Sequence, residues 1–202
     1  MNIQQILQFL HEVEKLKQEL RHSWLSNWRQ ESVAEHTWRL SLMAILMHSK
    51  LDEKVDLLKV LKMSVIHDIN EAYVWDVPAF DVNHSKQKDD EIRNIKDLLS
   101  RFPWEEMQEI HDLFIEYEDQ KSYESKFVKA LDKIEVRIQH NEADISTWND
   151  IEFSRSLFAA DKYCEFDNFL KEFNDMVKLD SENKIKSESD VDVEELKKWL
   201  NS

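Results

Sequence analysis

The chain runs for 202 residues without a single glycine, and it has only two prolines, Pro78 and Pro103. Glycine normally makes up about 7% of a protein, because many tight turns and left-handed helix ends favour a residue without a Cβ. A chain lacking it cannot build the Gly-x-Gly-x-x-Gly turn of a dinucleotide site or a phosphate-cradling P-loop. Its helices have to stop on Asn, Asp or Ser instead. Few breakers and abundant Leu, Lys, Glu and Gln favour helix throughout. The expected fold class is therefore all-α.

Apolar spacing places the helices. Ile3, Ile6, Leu7, Leu10, Val13 and Leu16 predict a first amphipathic helix over 2–20, followed by a polar connection from Arg21 to Glu31. Ser32-Val33-Ala34-Glu35 fits a capping box and predicts a second helix to about Ser49, with His36 one turn inside on the side of Val33 and Leu40. Asp52 is the expected cap of a third helix running to about Tyr73, apolar on both sides and hence enclosed by others. Further helices are expected over 86–101, 104–118, 122–142 and 149–178. The polar residues 179–190 read as a linker to a short last helix ending near Trp199-Leu200. The domain reading is 1–178 as a helical domain and 179–202 as linker and terminal helix. No strand of useful length stands out.

The net charge of −15 repels phosphate backbones, so long nucleic acid is not an expected partner. The longest mainly apolar run, Leu40 to Met47, is too short to span a bilayer, so no membrane partner is expected. Cys164 is the sole cysteine and the N-terminus lacks a basic signal-like region; both fit a cytoplasmic protein.

Chemistry concentrates at His67-Asp68, at the end of the apolar run Leu61 to Ile66. An imidazole and a carboxylate are good ligands for a divalent metal. His36 and Asp132 are the distant residues that would complete a two-His, two-Asp site. The dipeptide alone says little, because His111-Asp112 repeats it. Around that second pair the apolar stripe is Met107, Ile110, Phe114 and Tyr117; Asp112 lies nearly opposite, amid Glu109, Glu116 and Glu118, which reads as a solvated face.

In order, Arg29 to His36 with Trp38-Arg39, then Lys62 to Ala72, Asp76-Val77-Pro78, Glu116-Tyr117-Glu118 and Glu124 to Glu135 resemble the HD-domain metal-dependent phosphohydrolases. The likeness is sharpest to their 5′-deoxynucleotidase branch and covers about residues 3–142. It implies an HD-domain helical bundle around a central metal. It implies His36, His67, Asp68 and Asp132 as ligands, and Glu71 and Asp76 as the catalytic groups. The substrates it implies are 2′-deoxynucleoside 5′-monophosphates, cleaved to nucleoside and phosphate, and the assembly it implies is a homodimer. A mixed nitrogen and oxygen ligand set suits one divalent transition metal, Mn, Co, Fe, Ni or Zn, better than Ca or Mg.

Relatives usually carry Arg or Gly just before the residue matching Trp24; here it is Ser23. Where it is Arg, it contacts phosphate. Arg21, Arg29 and Lys129 are the cations that could take over, and Trp24 could stack on a base or sugar. Trp75 stands where relatives tend to have Gly. Two alternatives stay open from the residues: another HD-type phosphohydrolase acting on a phosphodiester, a nucleoside triphosphate or an alarmone, and a non-catalytic helical module pinned by a structural metal.

Overall fold

A computed structural model of the chain describes residues 2–72, 84–102 and 104–200, without the side chains of 84–91, 105, 199 and 200. Helix α1 (Ile3–Val13) starts on a reciprocal Asn2–Gln5 capping box. It ends sooner than the apolar spacing predicts. Residues 14–17 tighten into a 3-10 turn, and the chain then forms strand β1 (Leu20–Trp24). Phe9, Val13 and Leu16 pack inward, while Ile3, Leu7 and Leu10 face out.

The connection expected to be irregular is a small hairpin. β1 pairs antiparallel with β2 (Gln30–Ser32), Leu20 opposite Ser32 and Trp24 opposite Gln30. Trp28, at φ 67°, turns the chain between them. The strands escape the alternation test because β1 reads Leu-Arg-His-Ser-Trp, with one short polar run and no apolar face.

Helix α2 (Val33–Met47) starts at the expected capping box: the Glu35 amide donates to Ser32 Oγ, and Glu35 accepts from the Ser32 amide. Such a cap contributes about 1 kcal/mol. Helix α3 (Leu57–Ile66) is capped by Asp56, not Asp52. Asp52 instead accepts from the amide and side chain of Asn168, tying this loop to the C-terminal half. α3 also stops at Ile66 rather than Tyr73. The His67 ring donates from Nδ1 to the Ser64 carbonyl at 2.7 Å and so satisfies one of the acceptors left open at a helix end. A 3-10 turn, Ile69–Ala72, follows.

Helices α4 (His84–Ser100) and α5 (Glu105–Asp119) come next. α5 ends at Gln120 in the left-handed region, φ 48° and ψ 37°. α6 (Tyr123–Glu142) is capped by Ser122 and is enclosed: Phe127, Val128, Ala130, Leu131 and Ile134 are all fully buried. The expected single helix over 149–178 is three pieces, α7 (Asp150–Phe158), α8 (Asp161–Cys164) and α9 (Asn168–Glu188). Asp167 forces the last break by accepting the Leu170 amide as a cap.

Residues 179–188, expected as linker, continue α9. Ser181 and Ile185 are fully buried there, and Ser181 Oγ donates to Asn141 of α6 at 2.8 Å. Polar composition misled because α9 buries a narrow stripe. α10 (Val193–Leu200) closes the chain, as expected, with Asp192 accepting the Glu194 amide.

The main core joins α2, α3, α6 and α9 through Leu40, Met43, Met63, Phe127, Leu131 and Leu170. A second cluster, with Ile66, Ile95, Leu98 and Phe114, seats α1 and α4 against the far end of α3. α2, α3 and α6 therefore meet with their inner faces fixed by packing, and the candidate ligands stand where they meet.

Candidate metal centre

His36 comes from α2, His67 and Asp68 from the end of α3, and Asp132 from α6. The structure brings all four together. His36 is fully buried; its Nε2 lies 3.5 Å from Asp132 Oδ1 and 3.8 Å from Asp68 Oδ2. His67 Nε2 lies 3.0 Å from Asp68 Oδ2. Donor atoms of His36, His67 and Asp132 all fall within 4.8 Å of one another. Atoms bound at about 2.1 Å to one ion stand about 3 Å apart in cis positions, so the spacing fits a single cation.

Neither His36 Nε2 nor His67 Nε2 makes a well-directed hydrogen bond, although both are shielded from solvent. Buried polar atoms are nearly always satisfied. Two imidazole nitrogens left so, facing carboxylate oxygens, are the observation that fits a metal ion.

The opposite edges of His36, His67 and Asp132 are held. His36 Nδ1 is hydrogen-bonded to Glu135, which also accepts from Arg39 Nε at 2.6 Å. His67 Nδ1 is on the Ser64 carbonyl. Asp132 Oδ2 accepts from Tyr117 Oη at 3.1 Å and faces Lys133 Nζ at 3.0 Å, which leaves Oδ1 toward His36. Arg21 Nη1 reaches Asp68 Oδ2 at 3.4 Å.

These partners set the charges. Burial alone would raise the Asp132 carboxyl, but the Lys133 ammonium and the His36 ring 3.5 Å away hold it well below the usual carboxylate range. Burial works the same way on Asp68 and is outweighed by His67, His36 and Arg21, so its pKa falls too. Burial, then Asp132 and Asp68, push the Tyr117 phenol up, so it stays a donor. Glu31, desolvated and beside Glu135, is raised.

Of the other expected residues, Glu71 is in the 3-10 turn directly after Asp68, its amide bonded to the Asp68 carbonyl at 3.0 Å. Because α3 has already ended, Glu71 and His67 do not share a helical face. Asp76 and Trp75 lie outside the described residues. Lys129 Nζ donates to Tyr117 Oη at 3.0 Å and is 4.0 Å from Asp132. Trp24 ends the strand that carries Arg21. Arg29 is not brought in: it is exposed and paired with Glu35. His111-Asp112 is a surface pair, its Asp side chain 67% exposed.

Sequence reasoning missed Glu135, Arg39, Tyr117 and Lys133 as parts of the centre. Glu135 carried a usable signal: a carboxylate one helical turn after Asp132, set among Leu131, Ile134 and Ile138.

A helical frame that converges two imidazoles and two carboxylates defines a helical protein with a candidate metal centre. The HD domain model matches residues 13–182. The chain belongs to the HD domain family. It is 34% identical over 140 residues to the 5′-deoxynucleotidase HDDC2 of Bos taurus, covering 68% of this chain and 67% of that one. It is 37% identical over 144 residues to the Danio rerio protein of the same name, covering 68% of each. Among solved structures it is similar to a predicted metal-dependent phosphohydrolase from Magnetospirillum magnetotacticum MS-1, at TM-score 0.75 and 26% identity, over 90% of this chain and 96% of that one.

Proposed function

We propose that the chain hydrolyses nucleoside 5′-monophosphates, with 2′-deoxynucleotides preferred, to nucleoside and phosphate. It is a metal-dependent hydrolase, and its curated relatives are 5′-deoxynucleotidases. The observation that carries the reading is the pair of shielded imidazole nitrogens, His36 Nε2 and His67 Nε2, set among carboxylate oxygens at 3.0–3.8 Å.

His36, His67, Asp68 and Asp132 would hold one divalent transition metal. When bound, such an ion lowers the pKa of water and polarises a phosphoryl oxygen. The chain's own residues do the rest. Arg21, already beside Asp68, and Lys129, beside Asp132, supply positive charge for the phosphate dianion. Glu71, in the turn directly after Asp68, is assigned to take the proton of the attacking water or to pass one to the leaving 5′-oxygen. Asp76 is the alternative for the second of these transfers. Trp24 offers a ring for the base or sugar.

A homodimer is part of the proposal. Trp38, Leu42, Ile45 and Leu46 of α2, with Leu58 and Val65 of α3, are exposed on two helices that pack on each other. Apolar surface of that kind marks association, and sedimentation would read it directly. No described helix is long and apolar enough to cross a membrane. The single thiol of Cys164, buried and free, supports a cytoplasmic setting.

The test is phosphate release from a panel of ribo- and deoxynucleotides by protein loaded in turn with Mn, Co, Fe, Ni and Zn. Nucleoside plus phosphate is the expected product. Release of pyrophosphate would instead favour a triphosphohydrolase. Glu71→Ala is expected to bind metal as wild type does and to lose hydrolysis.

A further inference from the structure

Among the described residues, none beyond 145 belongs to the candidate metal centre, yet one carboxylate there reaches back to the hairpin beside it. Glu152 is the third residue of α7 and is buried. One oxygen, Oε2, accepts the Asn149 amide at 2.7 Å and closes the helix cap. The other, Oε1, faces His22 Nε2 at 3.2 Å and His140 Nε2 at 3.5 Å. Ser23 Oγ is 3.3 Å from the same His140 nitrogen. Trp148, just before the cap, donates from its indole to the His140 carbonyl at 3.0 Å.

Strand β1 is thereby fastened residue by residue. Arg21 points to Asp68, His22 and Ser23 meet the cluster between α6 and α7, and the Trp24 carbonyl accepts from Gln139 at 2.7 Å. A two-stranded hairpin is marginal by itself, so its geometry has to come from such contacts. Side chains on one short strand move together, and fixing His22 fixes where Arg21 and Trp24 stand.

We propose that Glu152, acting through His22 and His140, is a positioning residue that holds β1 so that Arg21 and Trp24 face the substrate. The 145–158 corner is then a working part of the nucleotide site. The proposal rests on the assignment of Arg21 and Trp24 as substrate contacts in the function proposed above.

Glu152→Gln isolates the effect. Glutamine also completes a capping box, so α7 keeps its start while the charge facing the two imidazoles is lost. The side chain of His22 is 38% exposed, so His22→Asn removes the other end of the contact from outside the core. In the full-length, metal-loaded protein both variants are expected to raise KM for deoxynucleoside monophosphates, Glu152→Gln by about tenfold, the loss of one carboxylate–imidazole contact. kcat and metal affinity are expected to stay within about twofold of wild type, as for lost uniform binding. Amide exchange over 20–24 should quicken while α3 and α6 keep wild-type rates.

Unchanged KM in both variants overturns the proposal. So does a joint fall of kcat and metal affinity, which would make Glu152 a general support of the fold. If wild type releases no phosphate from any nucleotide, the functional reading fails separately. Binding of deoxyadenosine monophosphate by calorimetry then decides: weaker binding in Glu152→Gln retains the proposal, and equal binding removes it.

Discussion

His36 and Glu135 are hydrogen-bonded partners in the interior, both with no exposure to solvent. The pairing fixes which imidazole nitrogen is available, because Nδ1 is committed to the carboxylate and Nε2 is turned to the other candidate ligands. Outer partners of metal-binding histidines typically contribute 10- to 100-fold in affinity. Glu135→Ala is expected to weaken metal binding by about that factor in chelator competition, with Arg39→Ala intermediate because Arg39 only steadies Glu135. Wild-type affinity in Glu135→Ala would show that His36 orients itself.

Metal binding should expel a proton. Burial and Arg21 push the His36 imidazole down, but Glu135 and Asp132 outweigh them and raise its pKa to about 9. A ligand nitrogen must be bare. Near pH 7 about one proton is expected to leave per ion bound, and affinity should fall about tenfold per unit as pH drops from there. Calorimetry in buffers of different ionisation enthalpy measures that proton directly, and the release should shrink in Glu135→Ala.

Acid stability should depend on His140. Burial, then His22 and Arg21, lower its pKa from the ordinary 6.5 to about 4. The unfolded chain therefore binds the extra proton first. The stabilisation from keeping this ring neutral is complete above pH 6.5 and is lost as pH falls through 4. At about 1.4 kcal/mol per unit, the whole window is worth on the order of 3–4 kcal/mol, most of it lost by pH 4.5. Urea unfolding at pH 7.5 and 4.5 should show a larger loss for wild type than for His140→Gln, by about 2 kcal/mol. Equal losses would place the acid sensitivity elsewhere.

The surface pair gives a control. His111→Ala is expected to leave metal content and turnover unchanged and to shift stability by no more than about 0.5 kcal/mol, the usual range for a surface substitution. A large loss of either would mean that the wrong His-Asp pair has been placed in the centre.

What the sequence made legible was chemistry anchored by packing. His36 falls on the buried side of α2 because Val33 and Leu40 do, and Asp132 is carried in by the apolar stripe of α6. Periodicity reports such faces well. The end of α3 at Ile66 was not legible, because it depends on the His67 ring reaching a carbonyl of its own helix. The β1–β2 hairpin escaped because its residues are polar and its contacts come from α6 and α7, more than a hundred positions away. Residues 179–188 read as linker because composition averages over a helix whose buried stripe holds only Ser181 and Ile185 in that stretch.

Among the described residues, Trp28 and Gln120 are the two that enter the left-handed region, and each does so with a side chain in place. That conformation costs about 1–2 kcal/mol for a residue bearing a Cβ. Gln120→Gly is therefore expected to raise the melting temperature slightly, a gain diminished by the freedom a glycine adds to the unfolded chain. The same reasoning applies in reverse to the whole sequence. A polypeptide with no glycine is stiff before it folds, so ordering its backbone gives up less entropy along its full length. Two strained corners are the local counterpart of a denatured ensemble narrowed everywhere else.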